Sequence, residues 1–299
     1  MQNLMQQKTV LITGGTGGIG KQTALALAKM GATVLVSGRD QASGQAAVSQ
    51  IIQDSGNQKI HLLLADLSVQ RGVRSLADQV KQQFGQLDVL INNAGLAAPE
   101  RRLTEDGIEA DFAVNVIAPF LLTHLLIENI KMSSAARVVN VTGGDHPAAI
   151  DLDNIQAERS FIGLSTYSHA KVMMIAVMYE FSQRMVGTQI CINVCYPGQA
   201  STNMTQQVTP KMLPPAARVI WPLFKLMTRP DDGRSAAKAA QSSIFLASNS
   251  TVEGVTGRYY NTKSAVVPWP AAALDQPIRQ NLYTMVEQFA GITTAATLP

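Results

Sequence analysis

The sequence carries little charge for its length. Only 15% of its 299 residues are charged, the net charge is +3, and Lys and Arg form no cluster. Nucleic-acid-binding surfaces need such clusters to neutralise phosphates, so we predict no nucleic-acid partner. The first residues, MQNLMQQK, lack the apolar core of a signal peptide, and we find no run approaching the roughly 20 apolar residues of a membrane span. We therefore expect a cytoplasmic protein without an integral membrane segment.

Disulfides and metal ligands are equally scarce. The cysteines, Cys191 and Cys195, have a spacing that matches neither a zinc site nor a thioredoxin-type pair. We interpret them as buried, reduced thiols, as is typical of a reducing compartment. The histidines lie far apart and have no cysteine or acidic partners at ligand spacing, so we predict no metal site. They are His61, His124, His146 and His169.

What the sequence does contain is a regular alternation of short β-branched runs with longer segments of helical period. This alternation is typical of βαβ units and a parallel sheet. The predicted strands are KTVLIT, ATVLVS, KIHLLLA, LDVLIN, RVVNVT, TQICINV and GRYYN. The predicted helices cover residues 19–30, 41–53, 69–84, 106–129, 167–185 and 231–247. We predict an α/β fold, a single doubly wound Rossmann-type domain over residues 1–299, with about seven parallel strands and helices on both faces.

The alternation weakens at residues 202–230, a segment with five prolines and many apolar residues. The segment follows the sixth predicted strand, and ligands of such folds bind beyond the carboxyl ends of the strands. We predict an inserted lid over an apolar substrate; a subunit contact and a peripheral membrane patch are the alternatives. The apolar residues of the predicted lid are Met212, Leu213, Ile220, Trp221, Leu223 and Phe224.

The first predicted strand runs directly into a glycine-rich loop, GGTGGIG, and then into an amphipathic helix. In this context glycines allow a tight turn and let a pyrophosphate approach the helix N-terminus, which predicts dinucleotide binding. Two registers of the motif fit the loop. G-x-G-x-x-G fits Gly15, Gly17 and Gly20, and T-G-x-x-x-G-I-G fits Thr13, Gly14, Gly18, Ile19 and Gly20, with Thr16 inside the loop.

The end of the second predicted strand bears on the choice of dinucleotide. It reads LVSGRD, so Ser37 is followed by a glycine, Arg39 and Asp40. A guanidinium here can bind the 2′-phosphate of NADP(H), whereas a carboxylate would repel it. We predict NADP(H) in preference to NAD(H); the alternative is that Asp40 turns back to hold an unphosphorylated ribose.

Five motifs in this order resemble the short-chain dehydrogenase/reductase family. They are TGxxxGIG at 13–20, NNAG at 92–95, an Asn at 115, YSHAK at 167–171 and YPGQAST at 196–202. The resemblance covers nearly the whole chain, and segments such as DFAVNVIAPFLLTHLL and GRYYNTK are similar to retinol-dehydrogenase-type members. The resemblance implies redox chemistry on the carbonyl or alcohol of a small-molecule substrate, with NADP(H).

The resemblance assigns the general acid and base role to Tyr167. Lys171 follows four residues later on the same helical face, and its charge is expected to favour the phenolate of a residue that ordinarily titrates near ~10. Asn115 is expected to anchor a water of the proton relay. Further cofactor contacts implied by the resemblance are Asp66, Leu67, Asn93, Ala94, Gly95, Pro197, Gly198 and Thr202.

One hydroxyl of the family pattern is missing. The family ends its fifth strand in two hydroxyl residues, the second of which donates to the substrate oxygen, and here these positions hold Thr142 and Gly143. Losing such a donor typically costs roughly 10²–10³ in rate, so turnover by Tyr167 can survive. Thr142, Asp145, His146, a substrate hydroxyl or a water are the candidate replacements.

Three functions follow from this departure. The first is a slow or specialised reductase, which the presence of the Tyr, Lys and Asn together favours. The second is a non-redox isomerase, cyclase or epimerase, and the third an NADP(H)-binding sensor or partner-binding protein. We also predict a homodimer or homotetramer, because the Tyr167 helix continues as KVMMIAVMYEF and is apolar on more than one side.

Overall fold

A computed structural model describes residues 4–144 and 146–292. Its described strands form one sheet in the order β3-β2-β1-β4-β5-β6-β7-β8. The strands are β1 (Thr9–Ile12), β2 (Thr33–Gly38), β3 (Ile60–Leu64), β4 (Val89–Asn92), β5 (Arg137–Val141), β6 (Cys191–Cys195), β7 (Tyr259–Tyr260) and β8 (Val266–Val267). The predicted Rossmann-type sheet is thereby confirmed, and its reversal of order between β1 and β4 creates the crevice in which such folds bind ligands.

The seven predicted parallel strands are present, and the sheet has one further strand, β8, that was not predicted. The first seven strands pair in parallel, but β8 runs antiparallel to β7 at the edge of the sheet. The two strands are joined by a tight turn in which the side chain of Asn261 accepts hydrogen bonds from the backbone N–H of Lys263 and of Ala265. A two-residue strand has too few side chains to show an alternating pattern, so no hydrophobic periodicity predicts it.

The helices lie on both faces of the sheet. On one face α1 (Gly18–Lys29), α2 (Gln41–Ser55) and α10 (Gln241–Ser248) share a core with Val10 and Ile12 of β1. On the other face a larger core includes Leu11, because successive residues of a strand point to opposite sides. The helices of that face are α3 (Gln70–Phe84), α4 (Ala110–Phe112), α5 (Ala118–Lys131), α6 (Gly163–Arg184), α11 (Ala271–Leu274) and α12 (Gln276–Phe289).

Two of the predicted helices differ from the structure, and some of the helices were not predicted. The predicted helix 231–247 is divided into α9 (Arg234–Ala239) and α10, which begins after Ala240. Helix α12 has no counterpart among the predictions. The predicted helix 106–129 begins only at residue 110, and a π-helical turn (Ala113–Ile117) joins α4 to α5. Such a turn inserts one extra residue per hydrogen-bonded ring and commonly marks a functional site.

The continuous helix Ala110–Lys131 also corrects our statement on membrane spans. Among the described residues this helix alone is both long enough and apolar enough to cross a membrane. Its most apolar window has a mean hydropathy of 1.7. In this fold 78% of that window is buried, because the helix packs between the sheet, α3 and α6. The apolar run is accounted for as a core helix.

Helix α12 covers a face of α6 within the chain. The ring of Tyr283 in α12 lies 5.2 Å from that of Phe120 and 6.1 Å from that of Phe181. At the edge of this contact the guanidinium of Arg279 pairs with the carboxylate of Glu180 at 2.9 Å. The second apolar side of α6, from which we predicted a homodimer or homotetramer, is therefore occupied in part by the chain's own C-terminal helix, and the oligomeric state stays a prediction.

We expect Tyr283→Ala to lower the free energy of unfolding by about 3–5 kcal/mol, the usual cost of truncating a buried aromatic side chain. Tyr283→Phe is the matched control. The Tyr283 hydroxyl is buried without a hydrogen-bond partner among the described residues, so its removal is expected to be neutral or stabilising. Urea unfolding followed by circular dichroism measures both variants. Equal destabilisation by the two substitutions would contradict this account of α12.

Candidate active site

A cavity of about 610 Å³ opens at the carboxyl ends of the central strands. Most of the residues predicted to contact a dinucleotide line it, although they are far apart in the sequence. Gly20 and Asp66 are the exceptions. The predicted residues that line it are Gly14, Thr16, Gly17, Gly18, Ile19, Ser37, Arg39, Leu67, Asn93, Ala94, Gly95, Tyr167, Lys171, Pro197, Gly198 and Thr202.

The glycine-rich loop is fixed by close packing against the loop after β4. The Thr13 hydroxyl accepts hydrogen bonds from the backbone N–H of Asn93 and of Ala94, both at 3.0 Å. The Asn93 side chain donates to the Thr13 carbonyl oxygen at 2.9 Å. A Cβ on Gly20 would lie 2.5 Å from the Asn93 side-chain nitrogen, so only glycine fits there. Gly20 thus contributes by holding the loop, not by facing the cavity.

The N-terminus of α1 is open to the cavity. Gly17 is its N-cap residue, and no side chain caps the helix. A Cβ on Gly17 would meet nothing within 4 Å. The backbone N–H groups of the first turn are thus free to bind an anion, as the helix dipole favours. These features fit the pyrophosphate of a dinucleotide.

The two charged residues after β2 have separate roles. Arg39 is exposed and lines the cavity. Asp40 is the N-cap of α2, where its carboxylate accepts a hydrogen bond from the backbone N–H of Ser43 at 2.8 Å. Hydrogen bonds from Ser43 also lower the pKa of Asp40. Asp40 is therefore engaged at its own helix, which leaves the guanidinium as the charged group of this strand end that faces the cavity.

Asp66 is likewise engaged locally. One carboxylate oxygen accepts from both the backbone N–H and the hydroxyl of Ser68, at 2.9 and 2.7 Å. Burial raises the pKa of Asp66, but these two hydrogen bonds and the charges of Arg39 and Arg102 together lower it overall. The neighbours Ala65, Leu67 and Ser68 line the cavity in its place.

Tyr167 and Lys171 lie together on one face of α6, at the wall of the cavity. Their exposed fractions are 7% and 3%. The Lys171 ammonium is 5.8 Å from the centre of the Tyr167 ring and donates to the carbonyl oxygen of Val141, at the end of β5, at 3.3 Å. The lysine therefore bridges helix α6 and the strand that ends beside the phenol.

The predicted effect of Lys171 on the phenol is outweighed by burial. Burial raises the pKa of Tyr167 above its ordinary value, and the charge of Asp111 raises it further. Burial also lowers the pKa of Lys171 to about 8, against the opposing effect of Asp111. Tyr167 is therefore protonated at neutral pH in the protein alone, a state suited to donating a proton.

Asn115 lies in the π-helical turn and is 1% exposed. Its side-chain nitrogen donates to the carbonyl oxygens of Leu96 and Asp111 at 2.7 and 2.9 Å, and its side-chain oxygen accepts from the backbone N–H of Leu96 at 3.2 Å. A Cβ on Gly95 would lie 3.2 Å from that oxygen and 3.4 Å from the Lys171 ammonium. Asn115 thus joins the loop after β4 to the helix, and its side chain and Lys171 both lie close to Gly95.

The position without a hydroxyl is filled by the phenol. A Cβ on Gly143 would lie only 2.5 Å from the Tyr167 hydroxyl oxygen. The next residue, Gly144, has φ +71°, and a Cβ there would lie 3.1 Å from the Tyr167 ring and 2.7 Å from the Ser168 hydroxyl oxygen. Real Cβ atoms do not approach other atoms so closely, so these two glycines allow the phenol to occupy its position.

The candidate replacements for the missing hydroxyl have different surroundings. Thr142 lines the cavity, and its hydroxyl is buried without a hydrogen-bond partner among the described residues. His146 packs on the rings of Tyr196 and Tyr259 and does not line the cavity. Asp145 lies outside the described residues. Of the three side chains, Thr142 is the one that the described structure puts at the cavity wall.

Two buried acidic residues near the site, Asp111 and Glu109, were not predicted from the sequence. Asp111 is fully buried, and one of its carboxylate oxygens accepts from the backbone N–H of Ala98 at 2.8 Å. Glu109, 1% exposed, caps α4 by accepting from the backbone N–H of Asp111 and of Phe112. The sequence pattern that could have identified Asp111 is its position four residues before Asn115 in an apolar helix. This spacing puts both side chains on one face of the helix.

Several residues of segment 202–230 line the cavity. Thr202 caps α7 (Asn203–Gln206), and α8 (Trp221–Met227) follows. Of the predicted lid residues, Phe224 lines the cavity, Met212 and Leu213 are buried, and Leu223 is 56% exposed. The side chain of Ile220 lies outside the described residues. Trp221 stacks on the Phe224 ring, with the ring centres 5.7 Å apart.

Comparison with known proteins agrees with this architecture. The sequence profile of the short chain dehydrogenase family matches residues 8–213. Human retinol dehydrogenase 14 is 33% identical over 309 aligned residues, covering 97% of this chain and 88% of that protein.

Solved structures share the fold. A Mycobacterium paratuberculosis protein superposes with a TM-score of 0.72 at 24% identity, covering 96% of this chain and 94% of that one. A short chain dehydrogenase of Shigella flexneri, solved in complex with NADP, has a TM-score of 0.64 at 19% identity, covering 88% of this chain and all of its own. The chain therefore belongs to the short-chain dehydrogenase/reductase family of oxidoreductases, and its sequence resembles the retinol-dehydrogenase-type members.

Proposed function

We propose that this protein reduces the carbonyl group of a small, mainly apolar substrate with NADPH, or oxidises the corresponding alcohol with NADP⁺. The observation that carries the proposal is the buried Tyr167–Lys171 pair on one face of α6, at the wall of a cavity that also reaches the open N-terminus of α1. A binding protein without turnover has no need for a buried phenol beside a buried ammonium.

Tyr167 and Lys171 have different roles in the proposed reaction. When bound, the nicotinamide supplies or receives a hydride at the substrate carbon. Tyr167 donates its proton to the substrate oxygen in reduction, and its raised pKa keeps that proton in place until negative charge develops on the oxygen. Lys171 stabilises the phenolate that remains. The lysine is held for this role by the carbonyl oxygen of Val141.

The preference for NADP(H) is supported by the two charged residues after β2. Arg39 lines the cavity, and Asp40 caps α2 instead of pairing with the Arg39 guanidinium. A charge-assisted hydrogen bond from a guanidinium to a phosphate is among the strong ones in proteins. The NADP bound by the Shigella flexneri relative is consistent with this proposal.

An apolar substrate is supported by the lid and by the relatives. Met204, Val208 and Phe224 line the part of the cavity formed by segment 202–230. The related human protein is named a retinol dehydrogenase, and retinol is a largely apolar alcohol. We propose that segment 202–230 closes over such a substrate.

The glycine at position 143 favours a second candidate, an NADP(H)-binding protein without turnover. Without a side-chain hydroxyl there, the substrate oxygen has one fewer donor. NADPH binding without oxidation by any apolar ketone or aldehyde would select this candidate, whereas turnover that depends on Tyr167 would exclude it.

We expect Tyr167→Phe to lower kcat for NADPH oxidation by apolar carbonyls roughly 10²–10⁴-fold, because the variant loses its general acid. NADPH affinity should stay near that of the wild type, since the ring is kept. Absorbance at 340 nm measures turnover, and calorimetry measures binding. Turnover at the wild-type rate in Tyr167→Phe would overturn the assignment of the acid.

We expect Arg39→Ser to weaken NADPH binding about 10- to 100-fold and to change NADH binding little, because a hydrogen bond to a charged group contributes roughly 1.5–3 kcal/mol. Asp40→Asn is the control, since Asn is an equally good N-cap residue. That variant should leave both affinities unchanged. Equal weakening of NADPH and NADH in Arg39→Ser would contradict the assignment of the 2′-phosphate contact.

We expect Gly143→Ser to slow turnover by about tenfold or more, because a Cβ at this position lies 2.5 Å from the Tyr167 hydroxyl oxygen and displaces it. Gly143→Ala separates the effect of the Cβ from that of the hydroxyl and should be slowed similarly. The opposite outcome, a gain approaching the roughly 10²–10³ of a restored oxyanion donor, would show that the phenol does not fill this space.

A further inference from the structure

Asp111 carries a carboxyl group that is fully buried in the protein. One of its oxygens, Oδ1, accepts from the backbone N–H of Ala98 at 2.8 Å. The other, Oδ2, is buried and has no hydrogen-bond partner among the described residues. A buried, unpartnered carboxylate oxygen is costly in free energy unless it carries a proton or contacts another group. The burial of Oδ2 is therefore consistent with a proton on this oxygen.

The position of Asp111 connects it to the acid–base pair. It lies one helical turn before Asn115, whose side-chain nitrogen donates to the Asp111 carbonyl oxygen at 2.9 Å. The side-chain oxygen of Asn115 and the Lys171 ammonium both lie within 3.4 Å of the site of a Cβ on Gly95. In its ionised form Asp111 raises the pKa of both Lys171 and Tyr167. Asp111 is thus linked to Lys171 through Asn115 and Gly95, and it does not line the cavity.

Four ionisable groups surround Asp111. Glu109 belongs to its own helix turn, Arg102 comes from the loop after β4, and Lys171 and Tyr167 come from α6. Burial and the Glu109 carboxylate raise the pKa of Asp111 to about 8, against the charges of Arg102 and Lys171. At neutral pH Asp111 therefore holds a proton, and since Oδ1 accepts from Ala98, that proton is on Oδ2.

We propose that Asp111 is the proton reserve of the active site, which resupplies Lys171 after each reduction. This role rests on the proposed function. After Tyr167 has protonated the substrate oxygen, Lys171 returns a proton to the phenolate and becomes a neutral amine. Asp111 Oδ2 then releases its proton to that amine through one water and is left as a carboxylate that takes a proton from solvent. Because it acts through Lys171, Asp111 is a positioning residue, not a catalytic one.

Carboxyl ¹³C NMR of protein labelled at the aspartate side chains tests the coupling without turnover. We expect one aspartate resonance to titrate near pH 8 and to be absent in Asp111→Asn. Its midpoint should move to lower pH in Glu109→Gln, which removes a neighbouring negative charge, and to higher pH in Lys171→Met, which removes a positive one. A midpoint at the ordinary aspartate value, or one that Lys171→Met leaves unchanged, would overturn the proposal.

Turnover gives the second measurement. Asp111→Asn keeps an acceptor for Ala98 and should lower kcat about 10- to 100-fold with little change in KM. Its solvent isotope effect on kcat should rise, because proton resupply then limits the rate. A purely structural role predicts a lower melting temperature with an unchanged pH profile and isotope effect, which would refute the proposal.

If the wild type reduces no carbonyl, the proposed function fails, and the NMR midpoints still decide whether Asp111 and Lys171 are coupled.

Discussion

The contact between the Tyr167 phenol and the backbone of Gly143 is the constraint on which the active site depends. The phenol occupies the volume that a side chain at position 143 would need, and Gly144 adopts a left-handed conformation beside the same ring. Helix α6 can therefore lie close to the end of β5, where Lys171 reaches the Val141 carbonyl oxygen. The loss of a hydroxyl and the position of the phenol are two consequences of the same pair of glycines.

Burial explains the electrostatics of the site. Tyr167, Lys171 and Asp111 are all nearly inaccessible to solvent, and burial favours the neutral form of each. It raises the pKa of the phenol and of the carboxyl group and lowers that of the ammonium. The phenol and the carboxyl group therefore hold their protons at neutral pH, which suits a site that donates protons.

Much of the fold was predictable because its signals are local. β-branched runs, helical periodicity and the glycine-rich loop identified the parallel strands, most of the helices and the residues around the cavity. The features that the sequence did not reveal depend on tertiary contacts. Strand β8 has two residues and exists through its pairing with β7, and the carboxylates of Asp40 and Asp66 accept hydrogen bonds from Ser43 and Ser68. The buried state of Asp111 likewise depends on the loop of Ala98, far from it in sequence.

The most direct test of the central claim is the ionisation of the Tyr167 phenol in the protein alone. Difference absorbance near the tyrosinate band, wild type minus Tyr167→Phe, follows this one phenol as the pH rises. The account predicts no phenolate from Tyr167 below about pH 10, the ordinary value for tyrosine, because burial outweighs the nearby ammonium. A phenolate that forms between about pH 6 and 8 would show that Lys171 dominates, and would contradict the account.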